Sequence, residues 1–142
     1  MNTIEKIASL DELGFVIDTL KSVVKDDAIV FLRGDLAAGK TTLVQAYAKA
    51  EGIDESVTSP TFSLQHTYGE RVFHYDLYRI DDDEFERLGL IEEFEKPGIH
   101  FVEWGSETLQ RFLKAVGYNV VVVDISAEGI KRRYRITFDA YA

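Results

Sequence analysis

One segment of the sequence reads Gly34-Asp35-Leu36-Ala37-Ala38-Gly39-Lys40-Thr41-Thr42. An apolar run at residues 28–32 precedes it, and a helix-forming run at residues 43–50 follows it. A glycine, four residues and then Gly-Lys-Thr, placed between a strand and a helix, is the pattern of a phosphate-binding loop. Backbone N–H groups of such a loop, together with the N-terminal end of the following helix, converge on phosphate oxygens. The segment therefore predicts a P-loop domain that binds a nucleotide.

The same pattern predicts a role for particular residues. Lys40 is expected to reach the β- and γ-phosphates, and the Thr41 hydroxyl to bind Mg²⁺. Gly39 lets the backbone approach an anion because it has no Cβ. The expected nucleotide-binding residues of the loop are Asp35, Leu36, Ala37, Ala38, Gly39, Lys40, Thr41 and Thr42. The alternative is a glycine-containing turn that binds nothing.

Length and composition predict a single domain over residues 1–142, with 46% hydrophobic and 29% charged residues. No apolar run approaches the ~20 residues that span a bilayer, and the N-terminus lacks the layout of a signal peptide. We therefore expect a cytoplasmic protein that makes no membrane contact. The absence of cysteine excludes disulfides and thiolate sites. The three histidines, His66, His74 and His100, are scattered, so we expect strand or surface residues rather than a metal site.

The chain is acidic, with 25 Asp or Glu against 16 Lys or Arg and a net charge of −9. Proteins that hold nucleic acids usually present a basic surface, so we expect no tight direct binding of RNA or DNA. The one basic cluster, residues 131–135, falls in a strand-like run. It predicts a charged edge strand that resists aggregation.

Local patterns predict an alternation of helices and strands. Ser9 and Glu12 have the spacing of a capping box before a helix at residues 10–24. The remaining predicted elements are a hairpin at 62–68 and 71–78, a short helix at 82–88, a helical turn at 90–94, a strand at 99–104, a helix at 107–114 with Leu109, Phe112 and Leu113 on one face, and a hairpin at 118–126 and 131–138. Together they predict an α/β fold, a P-loop NTPase-like three-layer domain with a mixed parallel and antiparallel sheet.

Two predicted strands end in a carboxylate. Glu103 follows Ile99-His100-Phe101-Val102, and Asp76 follows residues 72–75. Catalysis of phosphoryl transfer needs a carboxylate that holds the metal shell or orients the attacking water. In α/β sheets such residues lie at the C-terminal ends of strands. Either residue could instead be a solvated acid at a strand end.

Four short signatures occur together in this order: the loop described above, Ser59-Pro60-Thr61-Phe62, His74-Tyr75-Asp76-Leu77-Tyr78-Arg79 and Glu103-Trp104. In order and spacing the chain resembles the TsaE (YjeE) family, from about residue 4 to the last hairpin. This family consists of small bacterial ATPases required for threonylcarbamoyladenosine in tRNA. The resemblance implies a weak P-loop ATPase that uses Mg²⁺ with ATP, releases ADP, and works with the proteins TsaD and TsaB.

The resemblance also implies site residues. Thr41 and Glu103 would bind Mg²⁺, and Asp76 would lie close to the γ-phosphate, so the implied catalytic residues are Asp76, Lys40 and Glu103. Thr61 belongs to a loop that would respond to the nucleotide. An arginine near the last hairpin would also reach the nucleotide, and Arg132 matches best, with Arg133 as the alternative. Ala37 stands where the family usually has glycine, at a position that the general loop signature leaves free.

Other functions predict features that can be compared with this sequence. A GTPase would show an Asn-Lys-x-Asp motif, which does not occur. A small-molecule kinase would need arginines in a lid, whereas here the arginines concentrate in the last hairpin. The sequence is also compatible with a nucleotide-dependent binding module that has negligible turnover, because nucleotide binding alone can shift a conformational equilibrium.

Overall fold

The computed structural model describes residues 1–35, 39–53 and 64–139. Within them the strands are β1 (Asn2–Ala8), β2 (Ala28–Arg33), β3 (Gln65–Tyr68), β4 (Val72–Asp76), β5 (Ile99–Glu103), β6 (Val120–Glu128) and β7 (Lys131–Phe138). The α-helices are α1 (Leu13–Val24), α2 (Lys40–Ala50), α3 (Asp82–Arg87) and α4 (Glu107–Ala115). Two 3₁₀ segments, Leu10–Glu12 and Leu90–Glu95, precede α1 and β5.

The described strands form one sheet in the order β1-β7-β6-β2-β5-β4-β3. Strands β6, β2, β5 and β4 run parallel at its centre, and β1, β7 and β3 join by antiparallel pairing. The central strand β2 is buried along its first five residues, as expected for a parallel strand covered on both faces. The C-terminal ends of β2, β5 and β4 therefore meet at one edge of the sheet.

A hydrophobic cluster covers each face of the sheet. Helices α1 and α2 pack on one face through residues such as Leu20, Leu43 and Tyr47. On the other face, α3, the second 3₁₀ segment and α4 contribute Phe85, Phe94 and Leu113. This arrangement confirms the predicted three-layer α/β fold with a mixed sheet.

The capping box predicted from sequence is present. The backbone N–H of Ser9 donates to Oε1 of Glu12 at 2.9 Å. The first turn is 3₁₀ rather than α-helical, and α1 proper begins at Leu13. Asp81 caps α3 by accepting from the backbone N–H of Glu84, and Ser106 caps α4 by accepting from that of Leu109.

Three features differ from the sequence-based expectations. Strand β1 was not predicted, and it pairs along its whole length with β7. The basic strand β7 is therefore covered on both sides, and the prediction that it is an edge strand is wrong. Its arginines Arg133 and Arg135 form ion pairs with Glu5 of β1. In α4, Leu109 and Leu113 are buried but Phe112 is 51% exposed.

The part of the chain that the structure describes contains no helix with both the length and the apolar composition needed to cross a bilayer.

Candidate functional site

The phosphate-loop segment leaves the buried strand β2 and enters α2. Gly39 has a φ of 95°, in the left-handed region where residues with a Cβ are strained. Its carbonyl accepts from the backbone N–H of Leu43 at 3.0 Å, so α2 begins at the residue that the motif requires. Asp35 is exposed, as is Thr42 on the first turn of α2. Leu36, Ala37 and Ala38 lie outside the described residues.

Lys40 is buried although it carries an ammonium group, with only 3% of its surface exposed. Its Nζ donates to the carbonyl of Gly34 at 2.5 Å and to that of Asp35 at 3.0 Å. Burial lowers the pKa of Lys40, an effect that the nearby carboxylates of Glu103, Asp35 and Asp76 oppose. The ammonium thus lies among the three acids at this edge of the sheet.

Trp104 covers the ammonium of Lys40. Nζ lies 4.0 Å from the centroid of the indole ring, within the range of a cation–π interaction. Trp104 has a φ of 63°, which is uncommon for a bulky residue. The ring of Tyr78 contacts the indole edge-to-face at a centroid distance of 4.9 Å. The strained backbone immediately after β5 therefore holds an aromatic side chain against the loop lysine.

Glu103 is the buried carboxylate of the site, with 5% of its surface exposed. The Thr41 hydroxyl donates to its Oε2 at 2.8 Å, and Nε2 of His74 hydrogen-bonds to the same oxygen. Burial favours the neutral acid, but the hydrogen bond and charge of His74, the Thr41 bond and the Lys40 charge outweigh it and lower the pKa of Glu103. The structure therefore holds a carboxylate anion against the threonine of the loop.

Asp76 lies on the strand beside Glu103. The parallel pairing of β4 and β5 puts Asp76 and Glu103 opposite each other. Unlike Glu103, Asp76 is exposed, and its Oδ1 accepts from the backbone N–H of Tyr78 at 3.1 Å. The two candidate carboxylates are therefore adjacent but chemically distinct, because one is enclosed and the other faces solvent.

Arg132 approaches the loop from β7. A Cβ placed on Gly39 would lie 3.1 Å from Nη1 of Arg132, so the guanidinium rests against the backbone of the loop. Arg133 is engaged elsewhere, in ion pairs with Glu5 and Glu128. Of the two arginines considered from sequence, Arg132 is the one beside the loop.

A groove of about 590 Å³ continues from the loop past Asp35. Its lining includes residues 8–10, where β1 leads into the first helical segment, and residues around the β6–β7 turn, including Ile130 and Lys131. The groove mixes apolar and polar lining atoms and opens directly onto Gly34. It offers space for a group attached to a phosphate chain.

Of the remaining predicted site residues, Thr61 lies outside the described residues. The role of His74 was missed, since it was expected only as a strand or surface residue. A signal was present, because His74 precedes Asp76 by two positions and residues two apart share one face of a strand. The other buried histidine, His100, instead hydrogen-bonds to the Tyr75 hydroxyl and the Lys96 carbonyl.

The donor set fits a hard cation. The Thr41 hydroxyl and the Glu103 carboxylate are adjacent oxygens, and oxygen is the ligand type that Mg²⁺ prefers. Residues 1–35, 39–53 and 64–139 contain no group of three or more His, Asp or Glu side chains that could hold a metal by themselves. A Mg²⁺ that shares substrate phosphates needs only one or two protein oxygens, so this pair is sufficient.

Residues 7–135 match the family model described as "Threonylcarbamoyl adenosine biosynthesis protein TsaE". The chain belongs to the TsaE family. Relatives named tRNA threonylcarbamoyladenosine biosynthesis protein TsaE include one from Bacillus subtilis (strain 168). It is 37% identical over 116 residues, 74% of this chain and 73% of the relative.

A second relative, from Haemophilus influenzae, is also 37% identical, over 92 residues that make up 62% of this chain and 58% of the relative. Among solved structures, the crystal structure of Bacillus subtilis YdiB superposes with a TM-score of 0.61. That superposition covers 96% of this chain and 86% of YdiB. Because the identity is 23%, it supports only the fold of this TsaE-family chain.

Proposed function

We propose that this TsaE-family chain binds Mg·ATP at the loop and hydrolyses it slowly, as an accessory protein for threonylcarbamoyladenosine modification of tRNA. The observation that carries the proposal is the contact between the Thr41 hydroxyl and the buried Glu103 carboxylate at 2.8 Å. A threonine at the end of the Gly-x-x-x-x-Gly-Lys-Thr motif binds Mg²⁺ in P-loop proteins, and a strand-end carboxylate completes the shell. Membership of the TsaE family supports a role in the biosynthesis of threonylcarbamoyladenosine.

The proposed residues for Mg²⁺ are Thr41 and Glu103. A bound Mg²⁺ would neutralise charge on the β- and γ-phosphates. The low pKa of Glu103 keeps its carboxylate ionised near neutral pH, as a metal ligand must be. His74 would help to hold that carboxylate in place, since its Nε2 bonds to the same Oε2 that accepts from Thr41.

Lys40 is proposed to exchange its two backbone acceptors for phosphate oxygens. Its bonds to the carbonyls of Gly34 and Asp35 satisfy the buried ammonium, and a phosphate can replace them without leaving the charge unpaired. Arg132, beside Gly39, is proposed to add positive charge at the same phosphates. The groove beyond Asp35 is the proposed location of the adenosine moiety.

Asp76 is proposed to orient the attacking water. Its exposure leaves the carboxylate accessible to solvent, and its position opposite Glu103 keeps it at the phosphate end of the site. Thr41 is exposed as well. Among the described residues, nothing closes over these two side chains to exclude water, so hydrolysis by the isolated chain is expected to be slow.

The proposed partners are TsaD and TsaB, which would cover Asp76 and Thr41 and exclude water from the site. Ordering of a switch segment or an arginine supplied in trans raises phosphoryl-transfer rates by about 10³-fold or more in other P-loop proteins. With a net charge of −9, the chain is a poor match for tRNA, so the RNA is proposed to be held elsewhere in the assembly.

The test measures phosphate release by the purified chain alone, with TsaB and TsaD, and with tRNA alone at physiological salt. We expect turnover to rise at least several-fold with the two proteins and to stay unchanged with tRNA. The matched control is Lys40→Ala, which should show no turnover above background in any mixture. A rate of phosphate release that does not change when the two proteins are added, or tight tRNA binding by the isolated chain, would contradict the proposal.

A further inference from the structure

The negative charge of the chain is concentrated in one short segment. Residues 81–95 contain eight Asp or Glu and a single Arg, so seven of the nine net negative charges lie there. Capping of α3 accounts for Asp81 only. Within the described residues, no ion pair neutralises Asp83, Glu84 or Glu86, which are all exposed. The segment is more acidic than the start of a short helix requires.

An apolar groove lies against this acidic segment. It has a volume of about 300 Å³ and runs between α3 and α4, and we call it the α3–α4 groove. Its lining residues are Asp82, Phe85, Glu86, Ile91, Thr108, Leu109 and Phe112. Of these, Phe112 is 51% exposed although it is a large apolar side chain. An exposed apolar patch with a charged rim is typical of a protein interaction surface.

The α3–α4 groove is connected to the candidate site. The hydroxyl of Ser106 donates to both carboxylate oxygens of Asp82, at 2.8 and 2.9 Å, and so joins the start of α4 to the first turn of α3. Helix α4 follows directly after Glu103 and Trp104, and the carbonyl of Gly105 accepts from Arg33 of β2 at 2.6 Å. A partner held in this groove would therefore contact the two helices that follow β4 and β5, the strands on which Asp76 and Glu103 lie.

We propose that the α3–α4 groove is the docking site for a basic amphipathic helix of a partner protein. Apolar side chains one turn apart on such a helix would contact Phe112 and Leu109, and its Lys or Arg residues would face the acidic rim. The same rim repels tRNA and anionic membranes, which leaves a protein as the occupant that matches the charge. The inference rests on the proposed partnership with TsaB and TsaD, and it specifies the surface that they use.

The experiment measures the affinity of the full chain for the TsaB–TsaD pair by titration calorimetry at two salt concentrations. Phe112→Asp and Glu86→Lys are the test variants. The control is Phe15→Asp, because Phe15 is a 67% exposed phenylalanine on α1, in the opposite helical layer. Thermal melts and Mg·ATP binding of each isolated variant confirm that the fold and the nucleotide site are intact.

We expect both test variants to weaken binding about tenfold or more, the range for central interface residues, and Phe15→Asp to change it less than twofold. Added salt should weaken the parent more than Glu86→Lys, because one screened contact is already lost. Equal affinity for all variants, or self-association of the chain through Phe112, would overturn the groove assignment. A parent chain that does not bind the pair would instead contradict the partnership itself, and with it this occupant.

Discussion

Glu103 and Asp76 differ in their surroundings although they lie side by side on the adjacent strands β5 and β4. Because Glu103 is enclosed and contacts Thr41, Glu103→Gln should remove charge from the metal position and weaken Mg²⁺-dependent ATP binding. Asp76→Asn should leave binding near normal while reducing hydrolysis by about a hundredfold or more. Nucleotide affinity with Mg²⁺ and with EDTA, and phosphate release in the presence of the partners, separate these effects. If the two phenotypes are exchanged, the roles proposed here are exchanged as well.

His74 is a buried residue that contacts Glu103 through Nε2. Replacing it with leucine should release the carboxylate and lower metal affinity by about 10- to 100-fold, the range for residues that orient a metal ligand. His74→Gln should recover much of the loss, since its amide can donate from a similar position. The readout is the Mg²⁺ concentration that gives half of the ATP binding, measured without turnover.

The control for His74 is His100→Gln. His100 is equally buried on β5, and its hydrogen bonds go to Tyr75 and Lys96 rather than to Glu103. We expect this variant to lose stability while its Mg²⁺ dependence stays the same as in the parent. A His74→Leu variant with unchanged Mg²⁺ dependence would show that His74 only fills the core.

At the scale of elements, Glu12 joins the start of the first helical segment to the basic strand β7. Its Oε1 accepts from the backbone N–H of Ser9 and pairs with Nζ of Lys131 at 3.1 Å. These contacts lower the pKa of Glu12 to about 2, and the bond from the Ser9 backbone has the largest effect. The carboxylate therefore stabilises the fold above its unfolded pKa of 4.5, and this contribution is lost as the pH falls towards 2.

The corresponding variant is Glu12→Gln. It should be less stable than the parent at neutral pH and should lose less stability between pH 4.5 and 2, as measured by urea midpoints across that range. Ser9→Ala removes the hydroxyl contact but keeps the backbone donor, so its acid profile should lie between the two. Parallel acid profiles for the parent and Glu12→Gln would contradict the lowered pKa of Glu12 in the folded chain.

For the whole molecule, ligand binding should appear as added stability, because the loop holds its geometry only in the folded chain. Mg·ATP at about a hundredfold over its dissociation constant contributes roughly 2.7 kcal/mol, which raises the melting temperature by several degrees. Lys40→Ala should lose most of that increase. Lys49→Ala, an exposed lysine at the other end of α2, should keep it. Equal increases in both variants would contradict the loop assignment.

The elements that sequence predicted are those whose signals are local. The caps at Ser9 and Ser106, the turn after Tyr68 and the Gly-Lys-Thr start of α2 each depend on a few neighbouring residues, and all appear in the structure. The three-layer α/β fold followed from the alternation of these elements. The same locality explains why the sequence by itself predicts Lys40 and Thr41 as site residues.

Tertiary structure decided what depends on distant residues. Strand β1 has weak alternation, with only Ala8 fully buried, and it is a strand because β7, about 130 positions later, pairs with it. That pairing also converted the basic run from an edge into an inner strand. Glu103, Thr41 and His74 meet because parallel neighbours bring strand ends together across 29 and 62 residues of chain, and no local pattern contains that contact. The sequence thus determined which reactive side chains the protein has, and the order of the strands determined which of them come into contact.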